Sequence, residues 1–123
     1  MDTWPVHCVA DSEGANYHEN LELPFEHLDL YKGQYNPAYS GFQGEIWDAW
    51  EDRHLSLPDY LSLAGADTVD ICGLATDFCE AATARDAITF GYEVNLLTDL
   101  MAAVDLVVGG PAAMQGLEEA GAT

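Results

Sequence analysis

Apolar positions are densest in the second half of the chain, where their period also changes. Thr68-Val69-Asp70-Ile71-Cys72-Gly73 is a short run rich in β-formers and closed by glycine, which reads as a buried strand. Residues 78–90 contain no proline and carry Cys79, Ala82, Ala84, Ala87 and Ile88, a helical composition. Asp77 is placed to cap this helix, with Glu80 three residues on completing a capping-box pair, and Gly91 fits its far end. Residues 92–98 alternate as a second strand. A strand, a helix and a strand in about 30 residues form a βαβ unit, which predicts an α/β protein with a parallel sheet.

The first half is less regular. Residues 28–32 read as a strand that ends at Lys32-Gly33. A helix is predicted over 57–64, capped by Ser56, with Pro58 in its first turn and Gly65 at its end. Residues 33–55 form a long connection that carries Tyr35, Tyr39, Phe42, Trp47 and Trp50, with a helical stretch expected around 46–53. So many aromatics suit either a pocket wall or packing over a sheet edge. A last helix is predicted over 111–120.

Composition narrows the function classes. The chain has 123 residues, with 22 Asp and Glu against 3 Lys and Arg, a net charge of −19. That length suits one domain, and the 49% hydrophobic content excludes low-hydrophobicity disorder. A field this negative argues against nucleic acid or an anionic lipid surface as partner. The acids are scattered, so they form no acidic tail, and the acid-rich, lysine-poor balance fits either a salt-rich cytoplasm or a lysine-poor lineage. No apolar run is long enough to span a bilayer. Three cysteines cannot make a disulfide framework, and no signal peptide is visible, so a reduced, cytoplasmic domain is expected.

Cys79 falls in the first turn of the predicted helix, beyond the carboxyl end of a parallel strand. Ligands of open α/β sheets bind at such ends. A helix N-terminus stabilises a thiolate, and its free N–H groups suit a developing oxyanion. Thiolate and oxyanion hole together are machinery for acyl transfer. The alternative is a small buried hydrophobe. Cys72, inside the strand, is expected in the core, and Cys8 is expected to be structural. The four histidines have no fixed spacing to Cys79. Lys32, the only lysine, is the more interesting partner: two strand ends on one sheet edge bring it to the thiol, where its ammonium stabilises the thiolate. A lone exposed lysine is the plainer reading.

These elements carry a resemblance. Trp4-Pro5-Val6-His7-Cys8-Val9, Gly14-Ala15, Tyr31-Lys32-Gly33, Tyr39-Ser40-Gly41-Phe42 and Gly73-Leu74-Ala75-Thr76-Asp77-Phe78-Cys79 resemble, in order and spacing, the nicotinamidase/pyrazinamidase group of isochorismatase-like cysteine hydrolases. The resemblance runs from Trp4 to about residue 119. It implies a Rossmann-like, three-layer α/β fold and hydrolysis of nicotinamide or pyrazinamide to the acid and ammonia, a step of NAD salvage. It implies Cys79 as the nucleophile that forms a thioester, with Lys32 as its triad partner. The amides of Ala75 and Cys79 would form the oxyanion hole, and the Leu74–Ala75 bond would be cis. Trp4 and Tyr39 would flank the pyridine ring. His7 would be one ligand of a divalent zinc, iron or manganese ion.

The departures from the family pattern set further expectations. The family's triad aspartate and its other metal ligands lie upstream of the Trp-Pro motif, in a section that also holds the first strand. Residues 1–123 therefore read as a partial domain without that strand. Asn36-Pro37-Ala38 stand where the family often has an acid, Phe78 stands at a variable position, and the tail after Gly121 reads as short by a final strand of the family pattern. One histidine is too few for a metal site, so this chain alone is expected not to retain the ion. Little activity is expected of these residues alone, and full activity of a version extended upstream. The partner is expected to be a small-molecule amide, with monomer and homo-oligomer both open. An inactive remnant of the family and a hydrolase of another small amide are the competing readings.

Overall fold

The computed structural model describes residues 4–34 and 36–123. Its best-packed part is the predicted βαβ unit. Thr68–Leu74 (β4) and Glu93–Ala102 (β5) pair in parallel, with Thr68 opposite Glu93 and Ile71 opposite Leu96; the register shifts between Ile71 and Gly73. Ala81–Thr89 (α2) and Gly109–Ala120 (α3) pack against one face of this pair. Ala81, Ala84 and Ala87 recur every three residues along α2, and small side chains let the helix lie close to Ile71, Val94, Leu96 and Leu117 in one core. The α/β class and the parallel sheet are as expected. β5 and α3 are longer than the sequence suggested.

Cys72 is a correction. It is exposed, because side chains alternate across a strand and Ile71 is the residue turned toward the helices. Thr68, Asp70 and Leu74 share its outward face. All three cysteines are free thiols. At the other end of the chain, the Thr123 N–H donates to the Val94 carbonyl at 3.0 Å and the Thr123 carbonyl accepts from the Leu96 N–H at 2.7 Å, a first strand-like rung on β5.

The first half folds as a separate antiparallel sheet, Leu30–Tyr31 (β1), Glu45–Asp48 (β2) and Arg53–Ser56 (β3), in the order 1-2-3. The helix expected around 46–53 is thus a hairpin. Ile46 and Leu55 are paired and buried while Glu45 and Trp47 face out, a period of two. The Asp48 carboxylate closes the turn, accepting from the Trp50 N–H (3.1 Å), the Glu51 N–H (3.4 Å) and Arg53 Nε (3.2 Å). An aspartate that captures the next amides competes directly with helix formation. Leu57–Ala64 (α1) is as predicted: Ser56 Oγ accepts from the Asp59 N–H, and Gly65 takes the left-handed conformation at φ 70°.

Candidate active site

The turn between β4 and α2 carries the candidate nucleophile. The Leu74–Ala75 peptide bond is cis, as the family pattern implied. Residues Thr76–Glu80 then form a single π-helical turn before α2 begins. The Ala75 carbonyl faces into the turn and accepts from the N–H groups of Phe78 and Glu80, both at 3.1 Å. The amides of Ala75 and Cys79 take no part in those two bonds.

Asp77 is not the helix cap that the sequence suggested. The cap position belongs to Ala75, which offers no side-chain bond. The Asp77 carboxylate instead reaches the connection after β5 and accepts from the Val104 and Asp105 N–H groups, both at 2.9 Å. Burial works to raise its pKa, but those bonds outweigh it and hold the carboxyl below its ordinary range. Asp105 in turn accepts from the Val107 and Val108 N–H groups at the start of α3, and its pKa is also lowered, chiefly by such bonds from the Val108, Gly109 and Val107 amides. The nucleophile's turn is thereby tied to the last helix.

Glu80 does not complete a capping box either. It is buried, and neither carboxylate oxygen has a hydrogen-bond partner among the described residues. Oε1 lies over Gly73, where a Cβ would stand 3.6 Å from it. Burial pushes the Glu80 carboxyl above its ordinary value, and Thr76, short of a formed bond, opposes only in part.

Lys32 meets Cys79, though not by the predicted route. β1 belongs to the antiparallel sheet, so the two residues do not end strands on a shared edge. The residue after β1 nevertheless brings Lys32 Nζ to 3.3 Å from the half-buried Cys79 Sγ, across 47 positions of sequence. Among the described residues no carboxylate forms an ion pair with Lys32.

Aromatic side chains stand beside this pair. Trp4 Nε1 donates to the Tyr39 hydroxyl at 2.8 Å. Both rings pack on Phe78, the residue before Cys79: Trp4 edge-on at a centroid distance of 4.9 Å, Tyr39 tilted at 5.5 Å. Trp4 and Tyr39 were expected here from the sequence. Phe78 was not, although its place next to the cysteine was the available signal. The 3-10 turn Gly41–Gln43, just beyond Tyr39, anchors that ring's backbone. Buried Ser40 caps the turn, accepting from the Phe42 N–H at 3.1 Å while the Gln43 side chain accepts from the Ser40 N–H. Tyr35, from the same aromatic connection, lies outside the described residues.

His7, the expected metal ligand, is not joined by two others among the described residues. It is exposed, and its Nδ1 lies 2.7 Å from the Pro5 carbonyl. Among the described residues no three His, Cys, Asp or Glu side chains converge on a point that could hold an ion. The donors among the described residues do not by themselves fit a divalent metal, which needs at least three protein ligands.

A cysteine beside an ammonium, on a turn at the carboxyl end of a parallel strand and next to an aromatic wall, is an arrangement suited to nucleophilic chemistry in an α/β fold. The chain belongs to the isochorismatase domain family, whose model matches residues 1–123. It is 39% identical to a nicotinamidase/pyrazinamidase of Mycobacterium tuberculosis over 102 residues, 83% of this chain and 52% of that one. An Acinetobacter baumannii nicotinamidase/pyrazinamidase structure superposes with a TM-score of 0.83 at 32% identity, covering 98% of this chain and 57% of its own. A Pyrococcus horikoshii pyrazinamidase, solved in complex with zinc, gives a TM-score of 0.80 at 31% identity over 98% and 62%. The chain thus spans about half the length of the curated relatives it matches.

Proposed function

We propose that this chain carries the nucleophilic half of a nicotinamidase-type amidohydrolase, one that converts nicotinamide, and pyrazinamide, to the acid and ammonia within NAD salvage. The observation that carries the reading is the 3.3 Å contact of Lys32 Nζ with Cys79 Sγ. It is supported by the family match and by the relatives' own activities.

The Lys32 ammonium stabilises Cys79 as a thiolate. The sulfur attacks the carboxamide carbon and a C–S bond forms. The tetrahedral oxyanion is taken by the backbone amides of Ala75 and Cys79. The C–N bond breaks as nitrogen takes a proton from the Lys32 ammonium, and ammonia leaves; the amine regains its proton when the thioester is hydrolysed. Water then attacks the thioester, giving the carboxylic acid and restoring the thiolate. Trp4, Tyr39 and Phe78 offer aromatic surface to a flat heteroaromatic ring. The described residues supply no general base to Lys32, and no step here runs through a metal.

The test is ammonia release from nicotinamide and pyrazinamide, by this chain and by any longer polypeptide that contains it. Activity in either form that disappears in Cys79→Ala is the expected result, with the greater activity in the longer form. Activity that survives Cys79→Ala, or no deamidation in either form, would overturn the reading.

A further inference from the structure

One hydroxyl joins the two halves of this site. Thr83 lies on α2, one turn beyond Cys79. Its Oγ1 donates to the Cys79 carbonyl at 2.7 Å and accepts from the Gly41 N–H at 2.9 Å. The first bond alone would be commonplace, since threonine in a helix often bonds back one turn. The second crosses 42 positions to another part of the fold. Gly41 opens the 3-10 turn after Tyr39, and amides in a first helical turn have no partner within their own helix. Thr83 supplies that partner.

A hydroxyl has a single proton, and here it is committed to the Cys79 carbonyl, so the oxygen faces Gly41 as an acceptor. The two bonds thus polarise each other in one chain from Gly41 through Thr83 to the nucleophile's backbone. Packing agrees with the bonding. A Cβ added at Gly41 would meet Thr83 Cγ2 at 3.6 Å and Leu57 Cδ2 at 3.5 Å, so the turn already sits in contact with α2. Two residues before Gly41, the Tyr39 ring packs on Phe78, and one residue after Phe78 comes Cys79.

We propose that Thr83 is a positioning residue, whose hydroxyl fixes the Tyr39–Gly41 segment against the Cys79 turn and so sets the distance between the aromatic wall and the sulfur. The proposal rests on the reading of Cys79 as nucleophile and Tyr39 as ring-binding side chain. Thr83 itself touches neither substrate nor sulfur in that scheme. It acts through the two backbone segments that it joins.

Three variants test it. Thr83→Val keeps the shape and removes both bonds, Thr83→Ser keeps both bonds, and Thr83→Ala removes them with less bulk should the valine variant fail to fold. In the valine variant the Gly41 amide is expected to exchange its hydrogen about tenfold faster, as for an amide that has lost its acceptor. Iodoacetamide is expected to modify Cys79 about fivefold faster relative to the exposed Cys8 and Cys72 of the same molecule, since the covering segment loosens. In an active form, KM for nicotinamide is expected to rise about tenfold with kcat within about threefold, the pattern of lost substrate positioning. Serine is expected to stay within about twofold on every measure. Unchanged Gly41 exchange and Cys79 modification in the hydroxyl-less variants would overturn the proposal. So would an unchanged KM in an active form, or a serine variant as impaired as valine. Failure of the wild type to deamidate nicotinamide would instead sink the nicotinamidase reading, while exchange and alkylation would still decide the role of Thr83.

Discussion

The two halves of the molecule are built by different means. Residues 68–123 fold around a shared core in which Ala84, Ala87 and Leu117 are fully buried. Residues 4–56 bury far less: Ile46 and Leu55 are the apolar side chains lost to solvent in the antiparallel sheet, while Trp50 and Phe25 are almost wholly exposed. Yet each half supplies an essential part of the candidate site. Cys79 comes from the well-packed unit, and Lys32, Tyr39 and Trp4 come from the other. A site at such a seam depends on a few long-range bonds and on Phe42, the first-half ring that packs against the core of the other half and stacks on Phe90. Cys79 therefore needs both sides, which makes the seam the place to break the molecule.

The largest effect is expected at the sulfur. Cys79→Ala should lower deamidation by about a thousandfold or more in any active form, as removing a covalent nucleophile does. Lys32→Gln breaks the seam from the opposite side. It should lower kcat/KM by at least about a hundredfold, while far-UV circular dichroism and unfolding stay near wild type because Lys32 is not a core residue. A Lys32→Gln protein with wild-type kcat/KM would mean that the 3.3 Å contact plays no part in the chemistry.

The halves should also differ in what they contribute to stability. Leu117→Ala opens a cavity in the core shared by β4, β5, α2 and α3, and should cost about 2–5 kcal/mol in urea unfolding. Trp50→Ser removes a much larger side chain from the hairpin turn. It should change stability by less than about 0.5 kcal/mol, because that ring is already 97% exposed. Equal costs for the two substitutions would erase the contrast between the halves.

The same contrast governs how much the sequence revealed. The parallel unit was legible because several signals agreed there: β-branched residues, a proline-free helix and terminal glycines. α1 was legible through its Ser56 cap and Gly65. The hairpin was not, since two four-residue strands carry too few repeats to fix a period, and Asp48 acts through backbone bonds that composition does not display. Cys72 was misplaced because a strand covered on one face alternates, and only the fold says which face is covered. In the site, Cys79 and Lys32 were expected to meet and do so, but across two separate sheets rather than on one sheet edge, a route that no local pattern shows. Asp77 looked like a cap because caps are local, whereas its partners lie 27 and 28 positions away. Phe78 was singled out only as a variable position, and Thr83 not at all, for a related reason. Each acts through neighbours that the chain brings together only on folding.

A further test concerns Glu80, where, among the described residues, the well-packed half works against itself. Its buried carboxylate has no bond among the described residues, and an unsatisfied buried polar group costs about 1–3 kcal/mol. Glu80→Leu should therefore stabilise the protein at pH 7 by an amount within that range. The sign of the pH dependence comes from the raised pKa. The folded state holds this proton more tightly than the unfolded chain, whose group titrates near 4.5. Wild-type stability should thus fall as pH rises from about 4.5 through the higher folded value, and the leucine variant should lack that slope. Asp77 and Asp105 act in the opposite sense. Their lowered pKa values add stability above the ordinary 3.8 that is lost on further acidification. Both proteins share that acid limit, so it cancels in their difference. Urea unfolding at pH 4 and pH 7 then isolates Glu80: the gap between variant and wild type should be small in acid and widen toward neutrality. A leucine variant less stable than wild type at pH 7 would mean that Glu80 is partnered when the protein is in solution, and the core of this half would then be better satisfied than its bonds imply.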